Sequence, residues 1–140
     1  MDNATKSVIV SELANYPAEI RESPATEVEL EAFEAAFATI PSDVRWFLAT
    51  CGGGVVGRER LDGIRKLWSS HEKYMKEFGP PTGWSMTDVF IVGWDGAGNP
   101  IAVHKRTGQV LVEDHTFGGI HVEAESFGEY LEKLLFPNGG

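Results

Sequence analysis

Between residues 88 and 114 the chain reads DVFIVGWDGAGNPIAVHKRTGQVLVED, with three short apolar runs at 89–94, 101–103 and 110–112. The clusters Asp95-Gly96-Ala97-Gly98-Asn99 and Lys105-Arg106-Thr107-Gly108 separate them. Short runs of β-branched and aromatic residues bounded by Gly, Asn and Asp predict strands joined by tight turns. Glycine stands where a reversing chain needs positive φ. The pattern predicts a three-stranded antiparallel meander, with helical segments before and after it to cover one face.

Those helices show as a different periodicity. Residues 3–16 place Ile9, Leu13 and Tyr16 on one helical face, although Val8-Ile9-Val10 would also suit a strand. Residues 17–24 form a connector. Thr26-Glu27-Val28-Glu29 has the form of a capping box, and Leu30, Phe33, Phe37 and Ile40 then recur at helical spacing until Pro41. Ser42 can cap a second helix over 43–50, ended by Cys51-Gly52-Gly53-Gly54. Residues 55–61 read as a strand. Ile64, Leu67, Trp68, His71, Tyr74, Met75 and Phe78 mark a third amphipathic helix, and the loop 79–83 contains Pro80-Pro81. Gly118-Gly119 leads into a short strand at 120–123. Ser126 and Glu129 suggest a second capping box before a helix carrying Phe127, Tyr130, Leu131, Leu134 and Leu135, and residues 137–140 read as a frayed tail.

At 140 residues the chain has the size of one domain able to build a core without metals or disulfides. No apolar run approaches a membrane span, and the first residues, MDNATKSVIVSEL, lack the basic start and long apolar core of a secretory signal. Cys51 is the single cysteine, so no intramolecular disulfide can form, and a cytoplasmic location is expected. Charge adds more. Twenty-one acidic against twelve basic side chains give −9, and the carboxylates are bunched. Residues 107–132 hold six (Glu113, Asp114, Glu123, Glu125, Glu129, Glu132) and 22–44 another six, with no Lys or Arg in either stretch. Such a chain repels nucleic-acid phosphates and attracts basic partners. Acidic surfaces also serve solubility, and on charge alone that is the commoner explanation.

Candidate chemistry is sparse. A reactive thiolate needs an activating base or a helix N-terminus, whereas Cys51 falls at a helix C-terminus, so it reads as a buried structural thiol. Asp114, His115, His121, Glu123 and Glu125 include metal-ligating types, but match no compact ligand spacing, and on a strand Asp114 and His115 point to opposite faces. His71 sits on the apolar helix face and reads as a hydrogen-bonded core residue. His104 alternates with Val103 and should face away from the helices. Asp95-Gly96-Ala97-Gly98 lacks the G-x-G-x-x-G of a dinucleotide loop and joins strands rather than opening a helix. No catalytic constellation emerges, and no cofactor or metal site is expected.

The order of these pieces resembles the SUKH superfamily, which holds fungal cell-wall assembly regulators and immunity proteins of bacterial polymorphic-toxin systems. The resemblance runs from about Thr26 to Leu135. Its carriers are Ile40-Pro41-Ser42-Asp43-Val44-Arg45-Trp46-Phe47-Leu48 with Gly52-Gly53; Phe90-Ile91-Val92-Gly93 with Asp95-Gly96-Ala97-Gly98-Asn99; Thr107-Gly108-Gln109-Val110; and Asp114-His115 followed by Ala124-Glu125-Ser126-Phe127-Gly128-Glu129-Tyr130-Leu131. Cys51, where the family often has Asn, and His104, where an acidic residue is common, depart from the pattern.

The resemblance implies an α+β domain, with a strongly bent antiparallel sheet, a meander core and helices packed on one face. It implies a binding module rather than an enzyme. The expectation is a toxin-neutralising immunity protein whose partner is a basic, nuclease- or deaminase-type toxin domain, bound without direct nucleic-acid or membrane contact. The chain itself is expected to be a monomer or weak homodimer. Asp95, Glu113, Asp114, Glu123 and Glu125 on the open face and edge of the sheet are the expected contacts, with Trp94, His104 and His115 beside them. Two other readings are a regulatory or scaffolding domain of the cell-wall-regulator type, which usually has long disordered flanks, and a metal or thiol enzyme.

Overall fold

The structure, a computed structural model, describes residues 1–138. Its elements in order are α1 (Asn3–Leu13), a 3-10 turn (Ala18–Ile20), α2 (Glu27–Ala36), α3 (Ser42–Thr50), β1 (Gly54–Val56), β2 (Glu59–Leu61), α4 (Ile64–Glu77), β3 (Val89–Trp94), β4 (Pro100–His104), β5 (Val110–Glu113), β6 (Ile120–Ala124) and α5 (Phe127–Leu135). The six strands form one antiparallel sheet in chain order, so the predicted meander is its middle and an α+β fold results. Of the expected C-terminal tail, Pro137 and Asn138 form a turn, and Gly139 and Gly140 lie outside the described residues.

Alternation along the strands divides the interior in two. Phe90, Val92, Ile101, Val103 and Val110 face a large core to which all five helices contribute, including Ile9, Leu30, Phe33, Phe47, Leu67 and Leu131. Ile91, Ala102 and Leu111 face the other way, beneath Tyr74 and Met86, with Trp84, Val89 and Trp94 at the margin. A bulge between Ile91 and Gly93 resets the alternation, so that Trp94 joins this second group. The second face is therefore covered at its centre rather than open, because the chain between α4 and β3 folds back over it.

Several sequence boundaries move. The capping box at Thr26 forms as expected, but α2 stops at Ala36, where the chain turns early enough for the Glu34 carboxylate to accept the Ile40 amide at 2.9 Å. Pro41, not Ser42, occupies the N-cap of α3, with no side-chain cap. The strand expected over 55–61 is a hairpin, turned at Gly57 with φ +59. Ser126 caps α5 by accepting the Glu129 amide, while Glu129 takes the Glu125 amide at 3.3 Å, one residue earlier than a capping box requires. Met75 and Phe78, expected on the buried face of α4, are exposed.

Gly52 shows how tightly the N-terminal connector is seated. Its φ is +87, and a Cβ there would stand 2.1 Å from the Glu22 carbonyl oxygen. The Glu22 amide donates to Gly53 O at 3.0 Å, and Arg21 bridges to Gly54, so the connector covers the start of β1 at that edge of the sheet.

Candidate functional site

Folding distinguishes the two acidic stretches that look alike in sequence. In the first, Arg45 reaches Glu27 at 2.7 Å and Glu34 at 3.1 Å, Arg65 reaches Glu29 at 3.6 Å, Lys66 reaches Glu22 at 3.6 Å, and the N-terminal ammonium pairs with Asp43 at 3.2 Å. The cations come from outside the stretch, which is why the sequence run looked uncompensated. Hydrogen bonding by Arg45 lowers the Glu27 pKa. In the second stretch Glu129 pairs with Lys133 at 3.0 Å. Among the described residues, Asp95, Glu113, Asp114, Glu123 and Glu125 have no Lys or Arg within ion-pair distance.

Four of the five accept hydrogen bonds within the fold. Asp95 accepts the Ala97 and Asn99 amides, both at 2.9 Å, and the Asn99 side-chain amide at 3.1 Å, holding the β3–β4 turn. Glu113 takes the Ser85 amide at 2.9 Å and hydroxyl at 2.9 Å and the Met86 amide at 3.2 Å, clipping the covering segment to β5. Asp114 accepts the amides of Thr116 at 2.8 Å and Phe117 at 3.0 Å, and these bonds hold its carboxyl below the usual range. Glu125 accepts from the Gln109 side chain at 3.0 Å. Amide donors hold Asp95, Glu113, Asp114 and Glu125 without cancelling their charge, whereas among the described residues nothing donates to the Glu123 carboxylate. Asp95 and Glu123 in turn act on Glu59, whose pKa rises first through burial and then through the charge of Asp95.

The predicted residues separate along the sheet. Trp94, Asp95, Glu113, Asp114 and His115 gather at one end around Trp84 and Asn99. Trp84 lies 5.9 Å from Trp94 and 6.0 Å from His115 between ring centroids. The buried Asn99 accepts the His115 amide at 3.0 Å and contacts its Nδ1. Lys73 Nζ stands 4.1 Å over the Trp94 ring. Asp114 and His115 lie beyond β5, in the turn to β6, so the expectation that they point to opposite strand faces does not apply. His104 sits at the opposite end, where its Nδ1 accepts the amides of Arg106 at 3.2 Å and Thr107 at 3.3 Å; Glu125 is near that end, beside Gln109. Glu123 is on β6, and its backbone carbonyl accepts from Lys133 Nζ at 3.2 Å.

Sequence reasoning did not single out Trp84, Asn99 or the exposed Phe117, Ile120 and Val122. Trp84 and Asn99 read as loop residues, and only the tertiary fold sets them beside β3 and β5. The exposed apolar trio carried a signal, since apolar residues alternate through 120–124 with no basic residue to guard the edge.

Of the groups that could serve covalent or acid–base chemistry, Cys51, expected to be buried, is only half-buried, and His71 is held in the core. Burial pushes the Cys51 thiol up to about 11, with Arg21 pulling weakly the other way, so it is protonated at neutral pH. His71 is buried among the rings of Phe33, Phe37 and Phe90 and donates from Nε2 to Ile91 O at 3.0 Å. Among the described residues, no three His, Cys, Asp or Glu side chains are grouped so as to hold a metal ion, and no helix is long and apolar enough to cross a membrane.

A negatively charged surface beside exposed aromatic and aliphatic side chains can bind a protein. No curated protein matches the chain. The family model described as SMI1 / KNR4 family (SUKH-1) matches residues 24–133, from the connector before α2 to the last turn of α5. The chain belongs to the SMI1/KNR4 family, SUKH-1.

Proposed function

We propose that the chain is a cytoplasmic immunity protein that binds a cognate basic toxin domain, of nuclease or deaminase type, and blocks its active site. One observation carries this reading. Asp95, Glu113, Asp114, Glu123 and Glu125 lack cationic partners among the described residues, although the other acidic stretch is largely paired internally. A toxin that handles nucleic acid presents Lys and Arg to phosphates, and a rigid set of carboxylates competes for those same side chains. Backbone amides hold Asp95, Glu113 and Asp114 beforehand, which lowers the ordering cost of association at those three. Trp94 and His115 supply surface at the Trp84 end, where aromatic contacts can dominate the desolvated part of an interface. His104 and Glu125 would meet a partner only if it spans the length of the sheet.

The test is rescue together with binding. The chain is co-expressed with basic nuclease- and deaminase-type toxin domains, starting with any that a neighbouring gene encodes, and association of a purified pair is followed as salt is raised. Survival, and an association rate that falls steeply with salt, support the proposal. Growth arrest despite folded chain, or absence of a complex at low salt, contradicts it. Failure with the toxin alongside capture of a defined cell-wall regulatory protein would favour a scaffolding role.

A further inference from the structure

A sheet of six strands has two edges, and this protein treats them differently. The β1 edge is covered at its start, Gly54, by the connector through Arg21 and Glu22. At the other edge, the Asp114 amide donates to Gly119 O at 2.9 Å, which makes that pair a hydrogen-bonded one. Antiparallel alternation then turns the N–H and C=O of Ile120 and Val122, the partners of Glu113 and Leu111, away from β5. Among the described residues, no backbone segment pairs with them there. Lys133 reaches the outer end of β6 only at Glu123 O.

The side chains of this edge continue the buried apolar row of the second face. Ile91, Ala102 and Leu111 lie covered by Tyr74 and Met86, and the next position in the row, Val122, is 53% exposed. Ile120 is 47% exposed and Phe117 89%. The cover stops at Glu113, which holds Ser85 and Met86 over β5 and no farther. Natural edge strands are usually blunted by lysine, proline or a covering segment. At 120–124 the sequence is IHVEA, with neither residue.

We propose that β6 and the uncovered row beside it receive an extended segment of a basic protein partner, paired along the outer backbone of Ile120 and Val122 as an added strand. The segment would alternate apolar side chains, set on Ile120, Val122 and Phe117, with Lys or Arg set toward Asp114, Glu123 and Glu125. This deepens the reading of the chain as a binding module for a basic partner, and does not require that partner to be a toxin. Charge selects the occupant. A second copy would bring the same carboxylates together, with no Lys or Arg between residues 107 and 132 to separate them. A basic strand meets the apolar row and the carboxylates at once.

The probe is a synthetic, end-blocked peptide of alternating lysine and valine, added to the full chain and followed by amide NMR. A control peptide carries the same side chains with N-methylated alternate amides, which removes strand pairing and keeps the charge. The expected result is shifts centred on 120–124, slowed exchange at the Ile120 and Val122 amides, and affinity at least about tenfold weaker for the N-methylated peptide. Val122→Pro, which removes an outward donor and leaves the β5 ladder intact, should weaken binding similarly. Should that variant fail to fold, the N-methylated control decides alone. Shifts spread over all carboxylates and indifferent to N-methylation would overturn the proposal in favour of plain counterion attraction. Dimerisation of the chain alone, abolished by Ile120→Asn or Val122→Pro, would overturn it in favour of a second copy. A negative peptide result with intact toxin rescue would reject the strand-addition site and leave the immunity reading standing.

Discussion

Asp62 and His71 flank the same stretch of α4 and titrate in opposite senses, and removing one should expose the other. Asp62 precedes the helix and accepts from the Ser70 hydroxyl. Burial pushes its carboxyl from 3.8 up to about 6, opposed by that hydrogen bond and helped by the charge of Glu22. The folded state therefore binds this proton more tightly than the unfolded chain does. Above pH 6 the ionised Asp62 costs stability, and protonation relieves the cost as pH falls from about 6 to 4. Burial drives His71 from 6.5 down to about 4, against the favourable bond to Ile91. Its contribution is complete above pH 6.5 and is lost as pH falls toward 4. Each shift is worth about 3 kcal/mol at most, so the two nearly cancel across this window. Asp62→Asn keeps the shape and an acceptor for Ser70. It should stabilise the protein by up to about 3 kcal/mol at pH 7, with the gain vanishing near pH 4. Its stability should then fall with acid, revealing His71. Urea titrations between pH 8 and 4 measure this directly. A pH-independent destabilisation by Asp62→Asn would refute the reasoning, because the buried carboxylate would then be stabilised by its surroundings.

Other outcomes follow from packing and backbone. Phe33→Ala removes the ring that contacts Phe37, Trp68, His71 and Phe90, and urea denaturation should show a loss of about 3–5 kcal/mol. Gly52→Ala forces a Cβ against Glu22 O at positive φ; a loss above about 3 kcal/mol is expected, or no folded protein in a thermal melt. Thr26→Ala removes one half of a formed capping box and should cost about 1 kcal/mol by the same measurement. Cys51 should react slowly with a thiol reagent in native protein at pH 8 and rapidly once urea unfolds it, since burial keeps the thiol protonated.

Local signals made the meander and the helices legible. The runs at 89–94, 101–103 and 110–112 are short, apolar and bounded by turn residues, and their turns carry Gly98 and Gly108, both at positive φ. The β1–β2 hairpin was not legible because Gly57-Arg58 is a weak turn signal between two short strands. The early end of α2 depends on Glu34 accepting a distant amide, which hydrophobic spacing does not encode. At the site, sequence identified acidic residues but not their partners. Arg45 lies outside the stretch containing Glu27 and Glu34, so pairing there is a property of the folded chain. For the same reason the cover supplied by Met86, and its end at Glu113, emerges only from tertiary structure.

The most direct test of the account compares charge removal at two places in binding to a basic toxin domain that the chain is found to neutralise. Asp114→Asn with Glu123→Gln removes unpaired carboxylates, whereas Glu27→Gln with Glu34→Gln removes carboxylates paired to Arg45. Stopped-flow association at low salt should slow about tenfold or more for the first pair and by less than about twofold for the second. Equal slowing by both pairs, or none by the first, would contradict the claim that the uncompensated surface draws in the partner.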